Sequence, residues 1–241
     1  RGVYVKDDAG HLIPAYDARP YPHFKTIEEG WKYYMARDYL AGMFIWTGFD
    51  YRGEPTPYGW PSVTSYFGML DLCGFPKDVA WYLRSWWTKD TVLHILPHWN
   101  WKGAEGQVKD VWVYSNCNEV ELWLNGKSLG RKKMETLGHL EWKVTYKPGV
   151  LQAVGYMNGK KVLVSKRETT GNAAKAVLTA DRKEIHADNK DLAVVTVAVQ
   201  DAAGREIPTA ADAFTFEMEG PGRIIGVGNG NPVSLEPERY I

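Results

Sequence analysis

The shortages in this chain are informative. Two cysteines among 241 residues, Cys73 and Cys117, are too few for a disulfide scaffold. They fall in segments expected to fold separately, so buried thiols are the expected state. No apolar run approaches the ~20 residues that a membrane-spanning helix needs. Basic and acidic residues balance at 29 each. With neither a basic stripe nor an acidic tail, nucleic acid and anionic membrane surfaces are not expected partners. The six histidines (His11, His23, His94, His98, His139, His186) lack metal-ligand spacing. His94 and His98 would share a helix face, but they fall on an extended stretch, so no zinc site and no cofactor are expected. A targeting signal and an initiator Met are also missing. The opening Arg1-Gly-Val-Tyr4 therefore reads as the start of a processed or cut chain, which leaves the parent's address open.

What the chain does have is aromatic residues, 13% of the total, with eight of eleven Trp before residue 102. The length allows one or two domains and a sizeable core. The organising stretch runs from Gly42 to Tyr58. Met43-Phe-Ile-Trp46 is a short apolar run of the kind that fits a strand buried on both faces. It breaks into a Gly- and Pro-rich loop carrying Asp50, Tyr51, Arg52, Glu54 and Tyr58. A buried strand that delivers aromatic and acidic side chains onto the loop at its C-terminal end is how a parallel α/β barrel builds its active face. A lone Trp at such a position usually fills core; the polar cluster that follows favours a site.

Phe44-Ile-Trp46-Thr-Gly-Phe-Asp50-Tyr51-Arg-Gly-Glu54-Pro-Thr-Pro resembles the last barrel strand and following loop of family 2 glycoside hydrolases, and within them the bacterial β-galactosidase branch. The likeness continues through Tyr66-Phe-Gly-Met-Leu-Asp71-Leu-Cys-Gly-Phe-Pro-Lys77 to Ser85-Trp86-Trp87, and the later segments resemble the β-sandwich modules of the same enzymes. The resemblance implies a retaining hydrolase acting on terminal β-galactosides in a secreted or periplasmic bacterial parent, and it leaves room for a homo-oligomer. β-Glucuronidase and β-mannosidase relatives share the barrel.

Along the chain, residues 1–25 read as irregular, with Pro14, Pro20 and Pro22. Thr26-Ile-Glu-Glu29 is a capping box that opens a helix with Ile27, Trp31, Tyr34 and Met35 on one face. Asp71-Leu-Cys-Gly74 reads as a turn. Lys77–Trp87 reads as a second helix, with Val79, Tyr82, Leu83 and Trp86 at helical spacing. One and a half barrel units in ninety residues cannot make the ~250-residue barrel. The expected fold is thus a mixed α/β remnant, the end of a TIM barrel, over residues 1–90.

From about residue 91 the period falls to two. Val120–Leu124 and Lys127–Arg131 flank Asn125-Gly126, and Gln152–Tyr156 and Val162–Lys166 flank Asn158-Gly159. Both are strong hairpin signals, because Asn and Gly tolerate positive φ. With the alternating Leu140–Tyr146, they predict an immunoglobulin-like β-sandwich over 91–168. Thr169-Thr-Gly-Asn-Ala173 reads as a linker. Ala176–Thr179, Leu192–Gln200, Phe214–Glu219 and Arg223–Gly228 read as strands of a second immunoglobulin-like sandwich, 174–241, cut short, with a turn at Asp201–Gly204. An open sheet edge there would invite pairing with other chains.

Glycoside hydrolysis usually needs two carboxyl groups flanking the bond. In the family both are Glu on earlier barrel strands, and Arg1-Gly-Val-Tyr4 resembles the end of a Ser-Arg-Gly-x-Tyr segment that follows one of them. No catalytic residue is therefore expected within the chain. The candidate substrate-binding residues are Trp46, Asp50, Tyr51 and Glu54. Trp46 matches the family's last-strand Trp, and a flat aromatic surface suits the apolar face of galactose. Asp50, Tyr51 and Glu54 either bind sugar hydroxyls or brace the loop. Arg52 is expected to pair with a carboxylate, Tyr58 and Trp60 to pack in the loop, and Trp99-Asn-Trp101 to pack between segments. Glu28 and Glu29 read as helix-start residues. Gly226-Val-Gly-Asn-Gly230 imitates a phosphate loop, but no helix follows it, so a turn is expected. The alternative reading of the whole chain is a carbohydrate-binding or scaffold module without turnover, or a spacer that binds nothing.

Overall fold

The computed structural model describes Tyr4, residues 6–17 and residues 25–239. Arg1-Gly-Val, Pro20, Pro22 and Tyr240 lie outside the described residues. So does most of the segment compared with Ser-Arg-Gly-x-Tyr.

Helix α1, Ile27–Met35, starts on the expected capping box. Thr26 Oγ1 accepts from Glu29 N and Glu29 Oε2 accepts from Thr26 N, each at 3.1 Å. Asp17 completes the cap by accepting from Ile27 N at 3.0 Å and Glu28 N at 2.9 Å. The amides of the first turn thus find partners at once. Helix α2, Asp78–Trp87, buries Tyr82 and Leu83 from its predicted apolar stripe. The turn at Asp71–Gly74 is present, with Asp71 Oδ1 accepting from Cys73 N and Phe75 N at 2.9 Å each.

The run Met43–Trp46, expected as a strand buried on both faces, is neither. Phe44 is fully exposed and Trp46 is 74% exposed, while Met43 and Ile45 are half-buried. The reason is the lack of ladder partners. Among the described residues, no backbone hydrogen bond joins residues 41–46 to a neighbouring segment, and a strand exists only through its ladder.

Seven strands follow: β1 Leu93–Leu96, β2 Val108–Ser115, β3 Glu119–Leu124, β4 Lys127–Lys133, β5 Leu140–Thr145, β6 Val150–Met157 and β7 Lys160–Glu168. They form two antiparallel sheets, ordered β1-β2-β5 and β4-β3-β6-β7. β5 alternates buried and exposed residues without a break, and Ile95, Val111 and Val113 of one sheet share a core with Val120, Leu122 and Leu151 of the other. Two sheets with one core between them make a β-sandwich, in which each buried aliphatic side chain contributes roughly 1.5–3 kcal/mol. Both predicted hairpins form where expected. Asn125 and Gly126 have φ of 50° and 79°, and Asn158 and Gly159 have 50° and 77°, as a two-residue turn with positive φ at both positions requires. Cys117 is a buried thiol in this core and is not bonded to Cys73.

The expected linker is tied down. Thr169 Oγ1 donates to Trp99 O at 2.5 Å, Asn100 and Thr170 exchange two hydrogen bonds at 2.6 and 3.0 Å, and Gly171 N donates to the buried Asp201 at 2.8 Å. Trp99 is itself buried in the sandwich core, and Trp101 meets Tyr4 of the first segment edge to face at 6.2 Å, so the Trp99-Asn-Trp101 cluster packs at that junction as expected.

Beyond it, β8 Ala173–Ala180 and β9 Val195–Asp201 form a two-stranded sheet, with the turn at Asp201–Gly204 closed by a 3.0 Å bond. The predicted strands Phe214–Glu219 and Arg223–Gly228 are not formed, apart from a single bridge between Gly226 and Arg239. Phe214, Met218 and Ile225 are exposed. Alternation specifies a strand only where a second layer buries one face, and these residues have none.

The helical segment docks on the three-stranded sheet. Tyr82 and Leu83 bury against Leu96 and Tyr114, with Ile27, Trp31, Ile45 and Met69 packed around them. Two histidines pin this contact. His94 Nε2 lies 2.6 Å from Asp78 Oδ1, and Arg167 Nη2 lies 3.3 Å from His94 Nδ1. A guanidinium only donates, so Nδ1 accepts and the Nε2 proton goes to Asp78; burial lowers the His94 pKa and keeps it neutral. His139 bridges Glu28 of α1 at 2.5 Å and Glu141 of β5 at 2.8 Å. Glu28, read from sequence as a helix-start residue, thus also ties α1 to the sheets.

Candidate functional site

The loop after Trp46 is held on both sides by backbone bonds. Residues 47–50 run parallel to 68–70: Met69 N donates to Thr47 O (3.0 Å), Leu70 N to Gly48 O (2.8 Å) and Asp50 N to Leu70 O (2.9 Å). Residues 51–53 run antiparallel to 63–65, through Ser65 N to Tyr51 O (2.8 Å) and Gly53 N to Val63 O (3.1 Å). The approach leaves no room for a side chain at Gly68, where an added Cβ would sit 2.2 Å from Asp50 N and 2.4 Å from Phe49 C.

The four candidate residues separate into two roles. Asp50 points inward, with 2% of its side chain exposed. Its Oδ1 accepts from Gly68 N at 2.8 Å and Ser65 Oγ at 3.4 Å, and its Oδ2 meets Lys77 Nζ at 2.5 Å. Burial pushes the Asp50 carboxyl up, and Lys77 pulls it part of the way back; burial lowers the Lys77 ammonium in turn. Lys77 also donates to Tyr66 O at 2.8 Å. With both oxygens engaged, Asp50 braces the frame.

Trp46, Tyr51 and Glu54 form an exposed chain. Trp46 Nε1 donates to Tyr51 Oη at 3.1 Å, and that hydroxyl donates to Glu54 Oε2. The rings of Trp46 and Tyr51 meet edge to face at 6.0 Å and 83°, and Tyr51 meets Phe67 at 5.8 Å and 72°. The bond to Glu54 raises the Tyr51 phenol, which therefore stays a donor. The result is a flat apolar face beside a hydroxyl and a carboxylate acceptor, a combination suited to a polyhydroxylated ring.

Arg52 pairs with a carboxylate as expected, at 2.8 Å, and the carboxylate is the distant Glu238. Tyr58, expected to pack in the loop, instead ties it to the N-terminal segment, stacked on His11 at 4.7 Å and bonded to Asp8 and Leu12. Trp60, expected to pack there too, is exposed. No group of three or more His, Cys, Asp or Glu side chains arranged to hold a metal occurs among the described residues. Sequence reasoning missed Gly68, Ser65 and Lys77 as the frame of this loop. Gly68 and Lys77 fall within the Tyr66–Lys77 run quoted for the family likeness, so the signal was there without its mechanical meaning.

Two family models match. Residues 106–163 match a domain of unknown function (DUF4982), and residues 177–240 match the glycoside hydrolase family 2 C-terminal domain 5. The chain is 46% identical over 95% of its length to the β-galactosidase BoGH2A of Bacteroides ovatus, of which it spans 27%. It is 36% identical over 84% of its length to a putative β-glucuronidase of Formosa agariphila, spanning 20% of that protein. Among solved structures, a β-glycosidase from Bacteroides vulgatus superposes with a TM-score of 0.89 at 31% identity, over 96% of this chain and 29% of that one. The chain therefore spans between a fifth and a third of these proteins.

Proposed function

Because this chain belongs to glycoside hydrolase family 2, we propose that it is the C-terminal portion of a retaining β-galactosidase-type enzyme. In this reading, residues 1–90 are the end of the (β/α)8 catalytic barrel, 91–168 an immunoglobulin-like sandwich and 174–241 a second such module, cut short, of which the β8–β9 sheet is formed. The two catalytic Glu residues belong to earlier barrel strands, one as acid/base and the other as nucleophile of a double displacement. This portion supplies one wall of the sugar site and is inactive by itself.

One observation carries the reading. The apolar run before the loop has Phe44 and Trp46 exposed and no backbone partner among the described residues. Such a run is costly in water and calls for flanking strands, which the rest of a barrel would provide. In that setting Trp46 lies under the sugar ring, Tyr51 and Glu54 bind hydroxyls, and Asp50 braces the loop from behind.

The charges favour a neutral hexoside over a glucuronide. Glu54 presents a carboxylate to the site, and Arg52 of the same loop is already paired with Glu238, so the loop offers no spare cation to a uronic acid. In the full enzyme, Trp46→Ala should lower kcat/KM for an aryl β-galactoside more than tenfold, a loss of about 1.4 kcal/mol or more. The 241-residue chain by itself should not turn that substrate over. Turnover by the isolated chain, or normal kinetics in the variant, would overturn the proposal. Calorimetric sugar binding by the isolated chain, with Trp46→Ala neutral in the full enzyme, would favour a binding module instead.

A further inference from the structure

The segment 226–239 is a loop whose ends meet. Gly226 bridges Arg239, and Val227 N donates to Glu238 O at 2.7 Å. Its tip is knitted by Asn229, which donates to Ser234 at 3.3 Å and Glu236 at 3.1 Å. Compact surface loops of this kind are frequently functional. This one lies against the frame of the candidate site at several points. Arg52 Nη2 meets Glu238 Oε1 at 2.8 Å, and Val63 N donates to Pro232 O at 2.9 Å. A Cβ on Gly228 would come within 2.9 Å of Cys73 Sγ, and one on Gly230 within 2.6 Å of Asp71 Oδ2. The loop therefore touches all three pieces of the frame: the site loop itself, its antiparallel neighbour at 63–65 and the turn after 68–70.

Each contact has a consequence at the exposed chain. Arg52 lies next to Tyr51, and the bond at Val63 N holds the residue whose carbonyl anchors Gly53. The glycines allow the tip to nest against the Asp71 turn without a side chain between them. We infer that the 226–239 loop is a positioning element of the sugar site, setting where Tyr51 and Glu54 stand, so that the C-terminal module takes part in substrate binding. This inference rests on the reading of Trp46, Tyr51 and Glu54 as a sugar wall. The residues of the loop act through Arg52, Val63 and the Asp71 turn and do not touch the substrate.

The test uses the full enzyme with an aryl β-galactoside. Gly228 lacks a positive φ and its added Cβ would crowd Cys73 Sγ, so Gly228→Val tests space at this contact and not backbone strain. It should raise KM about tenfold, the equivalent of a modest overpacking penalty, with kcat within twofold and the melting temperature little changed. Adding Cys73→Ala, which removes the sulfur, should restore most of the loss. An unchanged KM in Gly228→Val with Trp46→Ala still damaging would overturn the positioning role and leave the site reading intact. Normal kinetics in both would overturn the site reading as well. Should Gly228→Val not fold, Glu238→Arg places like charges together and should raise KM about threefold, an exposed-pair effect. The swap Arg52→Glu with Glu238→Arg should then bring KM back. A Glu238→Arg variant with unaltered KM, or a swap that fails to rescue a raised one, overturns the inference.

Discussion

Gly68→Ala is the sharpest available perturbation of the site frame. The backbone at Gly68 lies outside the left-handed region, so alanine is conformationally permitted there and only space is tested. Its Cβ would meet Asp50 N at 2.2 Å, Phe49 C at 2.4 Å and Leu70 O at 2.7 Å. All three atoms are backbone, so no side chain can swing aside. The chain has two ways to respond. It can stay closed and bear the strain, which for an added methyl in a tight site costs about 1–3 kcal/mol. Otherwise the segments part, giving up Asp50 N to Leu70 O, Leu70 N to Gly48 O, Met69 N to Thr47 O and the charge-assisted Gly68 N to Asp50 Oδ1 bond. At about 1 kcal/mol for each neutral bond and about 2 for the charged one, parting costs roughly 5 kcal/mol. Strained closure is the cheaper response, and contacts this short with backbone put it at its upper end, so the variant should lose about 3 kcal/mol of local stability. Amide hydrogen exchange reads this directly: Asp50 and Leu70 should exchange about a hundredfold faster or more, while the β3 to β6 amides of the sandwich keep their protection. Wild-type exchange at Asp50 and Leu70 would show that the close approach at Gly68 is not what holds the loop.

Two further outcomes follow from the buried charges. Asp50→Asn keeps the shape but leaves Lys77 without its counter-charge. The loss should be about 2 kcal/mol, less than the 3–5 kcal/mol of a wholly buried pair, because Lys77 keeps some contact with water; an unchanged urea midpoint would refute the bracing role. At His139, burial lowers the pKa, but Glu28 and Glu141 together outweigh burial and raise it above 6.5. A histidine raised on folding contributes stability that is full below pH 6.5 and is lost as pH rises through its folded pKa. The melting temperature of the wild type relative to His139→Gln should therefore fall as pH is taken from 6.5 upward, and a difference independent of pH would refute the bridge between α1 and β5.

The geometry gives the exposed and buried acids of one loop different work. Asp50 and Glu54 look equivalent as letters in a Gly- and Pro-rich stretch. Asp50 is committed to Gly68 N, Ser65 and Lys77, whereas Glu54 receives the Tyr51 hydroxyl at the surface. The proposed sugar wall uses this separation: the donor and acceptor that face outward rest on a charge pair that does not.

Sequence by itself determined the features that depend on neighbours a few residues apart. The Thr26–Glu29 capping box, the Asp71 turn and the two Asn-Gly hairpins all formed in place, because their hydrogen bonds and φ angles are set locally. The family likeness was also legible there, since it rests on a long run of residue identities. Tertiary structure decided the rest. Met43–Trp46 has the composition of a buried strand but no ladder partner among the described residues, and Phe214–Glu219 alternates without a second layer to bury it. The roles of Asp50 and Gly68, and the contact of Arg52 with Glu238, arise where distant segments meet. Burial and close approach are properties of such meetings, and a pattern read along one segment carries no measure of them.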